Sequence, residues 1–304
     1  MQRSSDAKAA TAALTILALI AFASNSVLCR LALGERAIDP ASYTAVRLIT
    51  GAVTLWLIAR FLRGKSLGKA RGSWLSAAML FLYAATFSFA YISLSTGTGA
   101  LILFAAVQIT MIAVGLYVGE RPEILEWLGL FIAIAGLIYL VSPGITEPSP
   151  SGSVLMGAAG IAWGVYSLRG RGTSDPVGAT AENFLLTVPL AIGLTVPWLS
   201  TLNITLKGFF WAALSGSVTS GVGYVLWYAA LPRLTATRAA TVQLTVPVLA
   251  ALAGVILLSE AISLRLVISA VVILGGVGLA VFRRKVTPAR QASSAALVQT
   301  CVKE

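Results

Sequence analysis

Long apolar runs separated by short polar segments make up most of this chain. A helix needs about 20 apolar residues to cross the hydrocarbon core of a bilayer, and on that measure the pattern predicts ten membrane spans. Their approximate limits are 11–33, 42–62, 74–95, 98–118, 124–142, 152–169, 180–199, 209–231, 236–258 and 262–282. Pro189 and Pro197 interrupt the seventh run, which predicts a kinked span because neighbouring helices can bond the backbone groups that proline frees.

The ten runs form two sets of five, whose matching positions lie about 140 residues apart. The matches include Tyr91 with Tyr228, Glu120 with Glu260, Gly136 with Gly276, and the pair Phe22-Ala23 with Trp163-Gly164. Since five is odd, the second set must enter the membrane from the side opposite to the first. The sequence therefore predicts an all-α polytopic membrane protein, with ten transmembrane helices in two inverted five-helix repeats, 11–142 and 152–282, around a central cavity.

The remaining segments are expected to serve as connections. Residues 142–151, which contain Pro143, Pro148 and Pro150, have the composition of a short linker between the halves. Residues 286–304 are polar and small, and predict a cytoplasmic tail.

Charge supports this count independently of hydropathy. The chain is 58% hydrophobic with a net charge of +11, which in a soluble protein would suggest nucleic acid as a partner. With the N-terminus cytoplasmic, however, seventeen of the 22 Lys and Arg residues fall in segments on the cytoplasmic side, and three fall outside. Basic residues favour the cytoplasmic face, so we expect both termini inside, the lipid bilayer as the surrounding partner and no nucleic acid.

Few residues suited to enzymatic or metal chemistry are present. Histidine is absent and there are two cysteines, Cys29 and Cys301, which argues against a Ser-His-Asp centre, a metal site or a disulfide framework. A membrane-embedded enzyme would need clustered acids or histidines at one interface, and an ion channel would need a filter sequence or a ring of charge. We expect no enzyme activity and no cofactor; without a Walker motif, ATP is not expected either.

Aromatic and uncharged polar residues within the spans are the candidates for binding a small zwitterion such as an amino acid. Tyr83, Phe87 and Tyr91 are spaced by four and so share one helix face, and Gln108 and Gln243 supply amide groups near mid-depth. The full set of candidate substrate-binding residues is Asn25, Tyr83, Phe87, Tyr91, Gln108, Trp163, Tyr166, Tyr224, Trp227, Tyr228 and Gln243. Each has an alternative role in helix packing, and Asn25 and Gln108 could simply bond a neighbouring helix.

Charged residues inside the spans are informative mainly because they are scarce. No Asp, Glu or His lies in the central part of a predicted span, whereas proton-coupled pumps commonly use a buried carboxylate. This favours a facilitative carrier. Arg47, about five residues into the second span, is expected to extend its side chain to the outer surface, with a gating role as the alternative.

Several of these residues together resemble the EamA-type branch of the drug/metabolite transporter superfamily. They are Trp163-Gly164 with Tyr166, Arg47, Tyr91 before the small polar segment 95–99, its counterpart Tyr228, and the segment from Gln243 to Glu260 with Pro247. The resemblance extends over residues 11–282 and is greatest to the YddG-type amino acid exporters. It departs from the family at Phe22-Ala23, the counterpart of Trp163-Gly164, and at Gln108, where a proline is expected.

That resemblance implies a ten-helix carrier in the bacterial inner membrane that exports neutral and aromatic amino acids by alternating access. It also implies that Asn25 and Gln108 lie around the central cavity. A multidrug or other small-metabolite exporter of the same fold, possibly proton-coupled, is the alternative, because an aromatic cavity also suits flat cations. A complete inverted pair within one chain is compatible with function as a monomer.

Overall fold

A computed structural model describes residues 2–63, 72–117, 124–142, 148–170, 173, 175–230, 242–243 and 245–282. The prediction of an all-α membrane protein is confirmed, since these residues form helices and no strand longer than the isolated bridge between Ile38 and Ile204. The helices are α1 (Gln2–Gly34), α2 (Pro40–Arg63), α3 (Trp74–Ala90), α4 (Thr96–Tyr117), α5 (Ile124–Val141), α6 (Pro150–Gly170), α7 (Pro176–Thr195), α8 (Leu206–Leu214), α9 (Gly223–Ala230), α10 (Thr245–Leu258) and α11 (Leu264–Phe282).

Within the described ranges, six stretches are long and apolar enough to cross a membrane. They are Ala9–Gly34, Pro40–Phe61, Thr96–Val114, Pro150–Gly170, Pro176–Thr201 and Leu206–Ala230. Four further apolar helices are shorter: Trp74–Ala90, Trp127–Leu140, Thr245–Leu258 and Leu264–Leu279. Glu120 and the predicted tail 286–304 lie outside the described residues, as do residues 143–147 of the linker.

Helix starts follow local sequence signals. Ser73 precedes α3, and its hydroxyl accepts a hydrogen bond from the backbone N–H of Ser76. At the start of α7, the Asp175 carboxylate accepts one from the backbone N–H of Gly178. These side chains satisfy backbone donors that the first helical turn leaves free. Pro189 lies inside α7, which ends at Thr195 and continues as a short 3₁₀ helix, Val196–Thr201.

The eighth predicted span is irregular in its middle. Between α8 and α9 the backbone forms a π-helix, Ser215–Val222, so that the three pieces make one stretch of 25 residues. A Cβ on Gly216 would lie 2.0 Å from the Thr50 hydroxyl and 2.2 Å from the Arg47 carbonyl oxygen. Glycine is therefore required for the close approach of this segment to α2, and π-helical segments frequently mark functional sites.

Contacts between helix ends show which ends share a face of the bundle. At one face Arg30, near the end of α1, bonds the carbonyl oxygens of Tyr91 and Ile92, and Arg265, near the start of α11, bonds that of Ser142. At the other face the backbone N–H groups of Gly72 and Ser73, before α3, bond Glu182 and Asn183 in α7. Among these helices, α1, α3, α5 and α7 therefore run in one direction and α11 runs in the other.

Packing between the two halves follows a reciprocal pattern. α2 packs on α7 and α5 on α11; α3 and α4 pack on α6, while α9 and α10 pack on α1. If the two halves are exchanged, the contacts of α3 and α4 with α6 become those of α9 and α10 with α1. The α2–α7 and α5–α11 contacts remain the same. The α4–α6 contact is close because Gly160 has no side chain: a Cβ there would lie 2.6 Å from the Leu103 carbonyl oxygen.

Candidate functional site

A cavity lies between the two halves, where α1, α2, α3 and α4 meet α6, the π-helix and α9. Its walls consist mainly of aromatic rings and uncharged polar groups, with one charged side chain. The lining residues are Phe22, Asn25, Ser26, Arg47, Tyr83, Phe87, Leu103, Phe104, Trp163, Thr219, Ser220 and Tyr224.

Aromatic rings from both halves form a continuous cluster along one wall. The Trp163 ring centre lies 4.9 Å from that of Tyr83 and 5.2 Å from that of Tyr224. Phe22 contacts the same Tyr224 ring edge-on at 6.0 Å. Tilted and edge-on contacts at these distances are favourable, so the cluster presents an ordered apolar surface that suits a flat or branched side chain.

Asn25 connects the polar part of the cavity to the π-helix. Its Oδ1 accepts hydrogen bonds from Ser215 Oγ at 2.7 Å and Thr219 Oγ1 at 3.2 Å, and its Nδ2 donates to Tyr83 Oη at 3.3 Å. The amide orientation is assigned from this bonding pattern. Three helical segments, α1, α3 and the π-helix, are thus joined at one buried side chain.

Arg47 lies in the cavity wall, which corrects the expectation that it extends to the outer surface. Only 2% of Arg47 is exposed. Its Nη2 donates to Tyr83 Oη at 3.0 Å and its Nε to Ser220 Oγ at 3.2 Å. The guanidinium carbon also lies 5.1 Å from the ring centres of both Tyr83 and Phe87, within the range of a cation–π contact. Snorkelling fails because these partners hold the side chain inward.

Five of the eleven residues predicted from the sequence line this cavity: Asn25, Tyr83, Phe87, Trp163 and Tyr224. The predicted common face of Tyr83, Phe87 and Tyr91 is present, since adjacent ring centres are 5.4 and 4.8 Å apart. Tyr91 itself lies beyond the cavity, where it is buried and its hydroxyl donates to the Thr96 carbonyl oxygen at 3.3 Å.

The other predicted residues do not line the cavity. Tyr166 packs behind Trp163 with ring centres 5.6 Å apart, and Trp227 packs on Phe22 at 5.9 Å. Tyr228 is half-buried against the core and has its hydroxyl near Gly170. The two amides also lie elsewhere, Gln108 buried in α4 and Gln243 half-buried before α10.

Sequence reasoning missed several lining residues. Leu103 and Phe104 lie in a uniformly apolar run, where no period separates a cavity wall from a helix contact. Thr219 and Ser220 are small residues of a glycine-containing segment that packing alone would explain. The sequence feature that could have indicated this part of the cavity was Arg47, since a charged residue inside a membrane span normally has a partner or a function.

Interhelical contacts join helix ends at both faces of the bundle. On one face Glu260 binds Arg30 and Thr96. On the other face Arg169 donates from Nε to Ser76 Oγ at 2.9 Å and from Nη2 to Ser73 Oγ at 3.1 Å. Among the described residues, no group of three His, Cys, Asp or Glu side chains could hold a metal ion.

Apolar membrane-length helices surround an aromatic and polar cavity, an arrangement that fits a membrane transporter. The EamA-like transporter family matches the chain twice, over residues 9–142 and 150–282. The chain therefore belongs to the EamA-like transporter family.

Two of the following three relatives are named as transporters, in agreement with this assignment. An uncharacterised protein of Pseudomonas aeruginosa is 47% identical over 281 residues, which cover 92% of this chain and 98% of the relative. An uncharacterised transporter of Archaeoglobus fulgidus is 28% identical over 63% of this chain and 70% of its own length. The uncharacterised transporter YoaV of Bacillus subtilis is 22% identical over 83% and 92%, respectively.

A solved crystal structure shows the same fold. It superposes with a TM-score of 0.66 at 20% sequence identity and covers 91% of this chain and 99% of the other. At this identity the likeness is one of fold alone.

Proposed function

We propose that this transporter exports neutral and aromatic amino acids across the bacterial inner membrane by alternating access through the central cavity. The observation that carries the proposal is the combination of ordered aromatic rings with buried polar side chains in one cavity between the halves. Rings accommodate an apolar side chain, while amide, hydroxyl and guanidinium groups bind the charged ends of an amino acid.

The proposed architecture is ten spans in two inverted five-helix repeats, 11–142 and 152–282, with both termini cytoplasmic. The inversion is supported by the opposite directions of α1, whose end bonds the end of α3, and α6, whose end bonds the start of α3, and by the reciprocal contacts of α1 and α6. Inverted repeats allow one half to move against the other, so that the cavity opens to each side in turn. With the whole cavity built from one chain, the monomer is the proposed functional unit.

The proposed transport is facilitative. No Asp or Glu lines the cavity formed by the described residues, so the usual buried carboxylate of a proton-coupled carrier has no counterpart there. Substrate would then move down its own gradient, outward from a cell that accumulates it.

A second candidate is a multidrug or small-metabolite exporter of the same fold. The rings of Tyr83, Trp163 and Tyr224 favour it, because an aromatic cluster can bind a flat cation by its faces. The positive charge of Arg47 in the same wall opposes it.

Uptake into liposomes that contain the purified protein tests both candidates. Radiolabelled tryptophan, threonine and methionine are compared with a lipophilic cation, each with and without a pH gradient. We expect saturable amino acid uptake without a gradient. Uptake of the cation alone would overturn the amino acid assignment, and uptake that requires the gradient would overturn the facilitative mechanism.

A further inference from the structure

We propose that the Arg47 guanidinium is the carboxylate-binding group of the cavity, so that the substrate class is a small carboxylate with an apolar or aromatic body. This inference rests on the proposed function, because it assumes that the transported molecule enters this cavity. It goes further by naming the atom that binds the substrate and the chemical group that it binds.

Arg47 carries a charge that the described residues do not neutralise. Its polar partners are the neutral hydroxyls of Tyr83 and Ser220, and no described carboxylate lies within 4.0 Å of it. A buried charge is costly unless it is paired. An anionic ligand in the cavity would provide the missing counter-charge.

One guanidinium nitrogen also lacks a hydrogen-bond partner within the described part of the protein. Nη1 of Arg47 is buried and has no hydrogen-bond partner among the described residues, while Nε and Nη2 are both engaged. Buried donors are nearly always bonded in folded proteins, so an unpartnered one in a cavity wall points to a missing acceptor. A carboxylate oxygen forms a short, strong bond with such a donor.

The protein holds this arginine in place before the substrate arrives. The Tyr83 and Phe87 rings lie on the guanidinium at equal distances of 5.1 Å, and the two hydroxyl bonds limit its rotation. A rigid donor binds with less loss of side-chain entropy than a flexible one. The same rings are adjacent to the Trp163 cluster, which places an apolar surface beside the proposed anion site.

The test compares four probes by binding to the purified protein in detergent: tryptophan, tryptophan amide, tryptamine and indole-3-propionate. If Arg47 binds the carboxylate, tryptophan binds at least about tenfold more tightly than its amide or tryptamine, as expected for a hydrogen bond to a charged group. Indole-3-propionate, which lacks the ammonium, then separates a general carboxylate carrier from one specific for amino acids.

Replacement of the arginine shows whether this preference comes from Arg47. In Arg47→Met the affinity for tryptophan should be within about threefold of the affinity for its amide, since the substrate carboxylate then forms no bond with residue 47. Arg60→Gln is the matched control, because Arg60 lies on the same helix but is exposed, and it should retain the full ratio. A purely structural role for Arg47 would weaken all probes alike and leave the ratio unchanged.

Each outcome decides a separate question. Equal binding of tryptophan and its amide by the unaltered protein overturns the carboxylate site while leaving amino acid transport standing, and it does so even if Arg47→Met fails to fold. A preference for the carboxylate that persists in Arg47→Met also overturns it. Failure of every carboxylate and amide probe to bind overturns the proposed function, and this inference with it.

Discussion

Glu260 binds Thr96 across the two halves of the protein, 164 positions apart in the sequence. One carboxylate oxygen accepts the Thr96 backbone N–H at 2.8 Å, and the other accepts its hydroxyl at 3.2 Å. Thr96 is the first residue of α4, so the carboxylate occupies the position of a helix N-cap and complements the positive end of the helix dipole. Arg30 binds the same carboxylate at 3.3 Å, which joins α1, α4 and the end of α10 at one face.

Glu260→Ala is expected to destabilise the protein by about 2–3 kcal/mol, because it removes charge-assisted bonds to a helix start and leaves Arg30 without its acid. Thermal unfolding in detergent measures the change. Glu35→Ala is the matched control, since Glu35 pairs with Lys207 in an exposed ion pair and should cost less than about 0.5 kcal/mol. Similar losses of stability in Glu260→Ala and Glu35→Ala would contradict the N-cap role of Glu260.

Gly160→Ala is expected to lower stability by about 1–3 kcal/mol, because its Cβ would lie 2.6 Å from Ala106 and from the Leu103 carbonyl oxygen. Gly157→Ala on the same helix meets nothing within 4 Å and should be neutral or slightly stabilising. Melting temperatures of the two variants in one detergent separate close α4–α6 packing from a general intolerance of α6 to alanine. Equal melting temperatures would rule out the packing role.

Trp163→Ala is expected to reduce tryptophan uptake at least about tenfold and threonine uptake much less, since it removes the ring between Tyr83 and Tyr224. Trp163→Phe should retain part of the activity. Trp198→Ala serves as the control, because Trp198 packs on Phe89 outside the cavity lining. Initial uptake rates in liposomes measure these changes. Equal losses of tryptophan and threonine uptake would argue against contact between the Trp163 ring and the side chain of the substrate.

Asn25→Asp is expected to weaken tryptophan binding and to strengthen tryptamine binding. The new carboxylate would share Tyr83 with Arg47, and so would compete with the substrate carboxylate and attract an ammonium group. Asn25→Ala removes the amide without adding charge and should weaken both ligands alike. If aspartate and alanine give the same probe ratios, the charge of the cavity wall does not select the substrate.

Helix positions were largely predictable because each span had to present an apolar run to lipid. The runs 42–62 and 152–169, for example, agree closely with α2 (Pro40–Arg63) and α6 (Pro150–Gly170). The π-helix was not predictable: it depends on the close approach of Gly216 to α2 and on bonds from Ser215 and Thr219 to Asn25, a residue 190 positions away in the chain. Hydropathy contains no information about such a partner.

Some features of the cavity residues were likewise predictable from the sequence, and others were not. A four-residue spacing placed Tyr83 and Phe87 on one face, because a helix fixes which of its own side chains are neighbours. Tyr91 continues that face and yet leaves the cavity, since its depth along the helix and its bond to Thr96 place it beyond the polar walls. Trp163 and Tyr166 are equally aromatic in sequence, and packing of α6 against α3 makes only the first a lining residue.

Arg47 gives the clearest contrast between chain and fold. Its position near a span end predicted a side chain that reaches the surface, and composition alone offered no carboxylate to hold it inside. Hydroxyls from α3 and the π-helix and two aromatic rings instead hold it in the cavity. Hydrophobic runs and charge placement were enough to predict an all-α polytopic membrane protein, because the bilayer acts on each span separately. The transporter prediction came from the family resemblance. The direction of Arg47 required the folded bundle, because its partners come together only when distant helices pack.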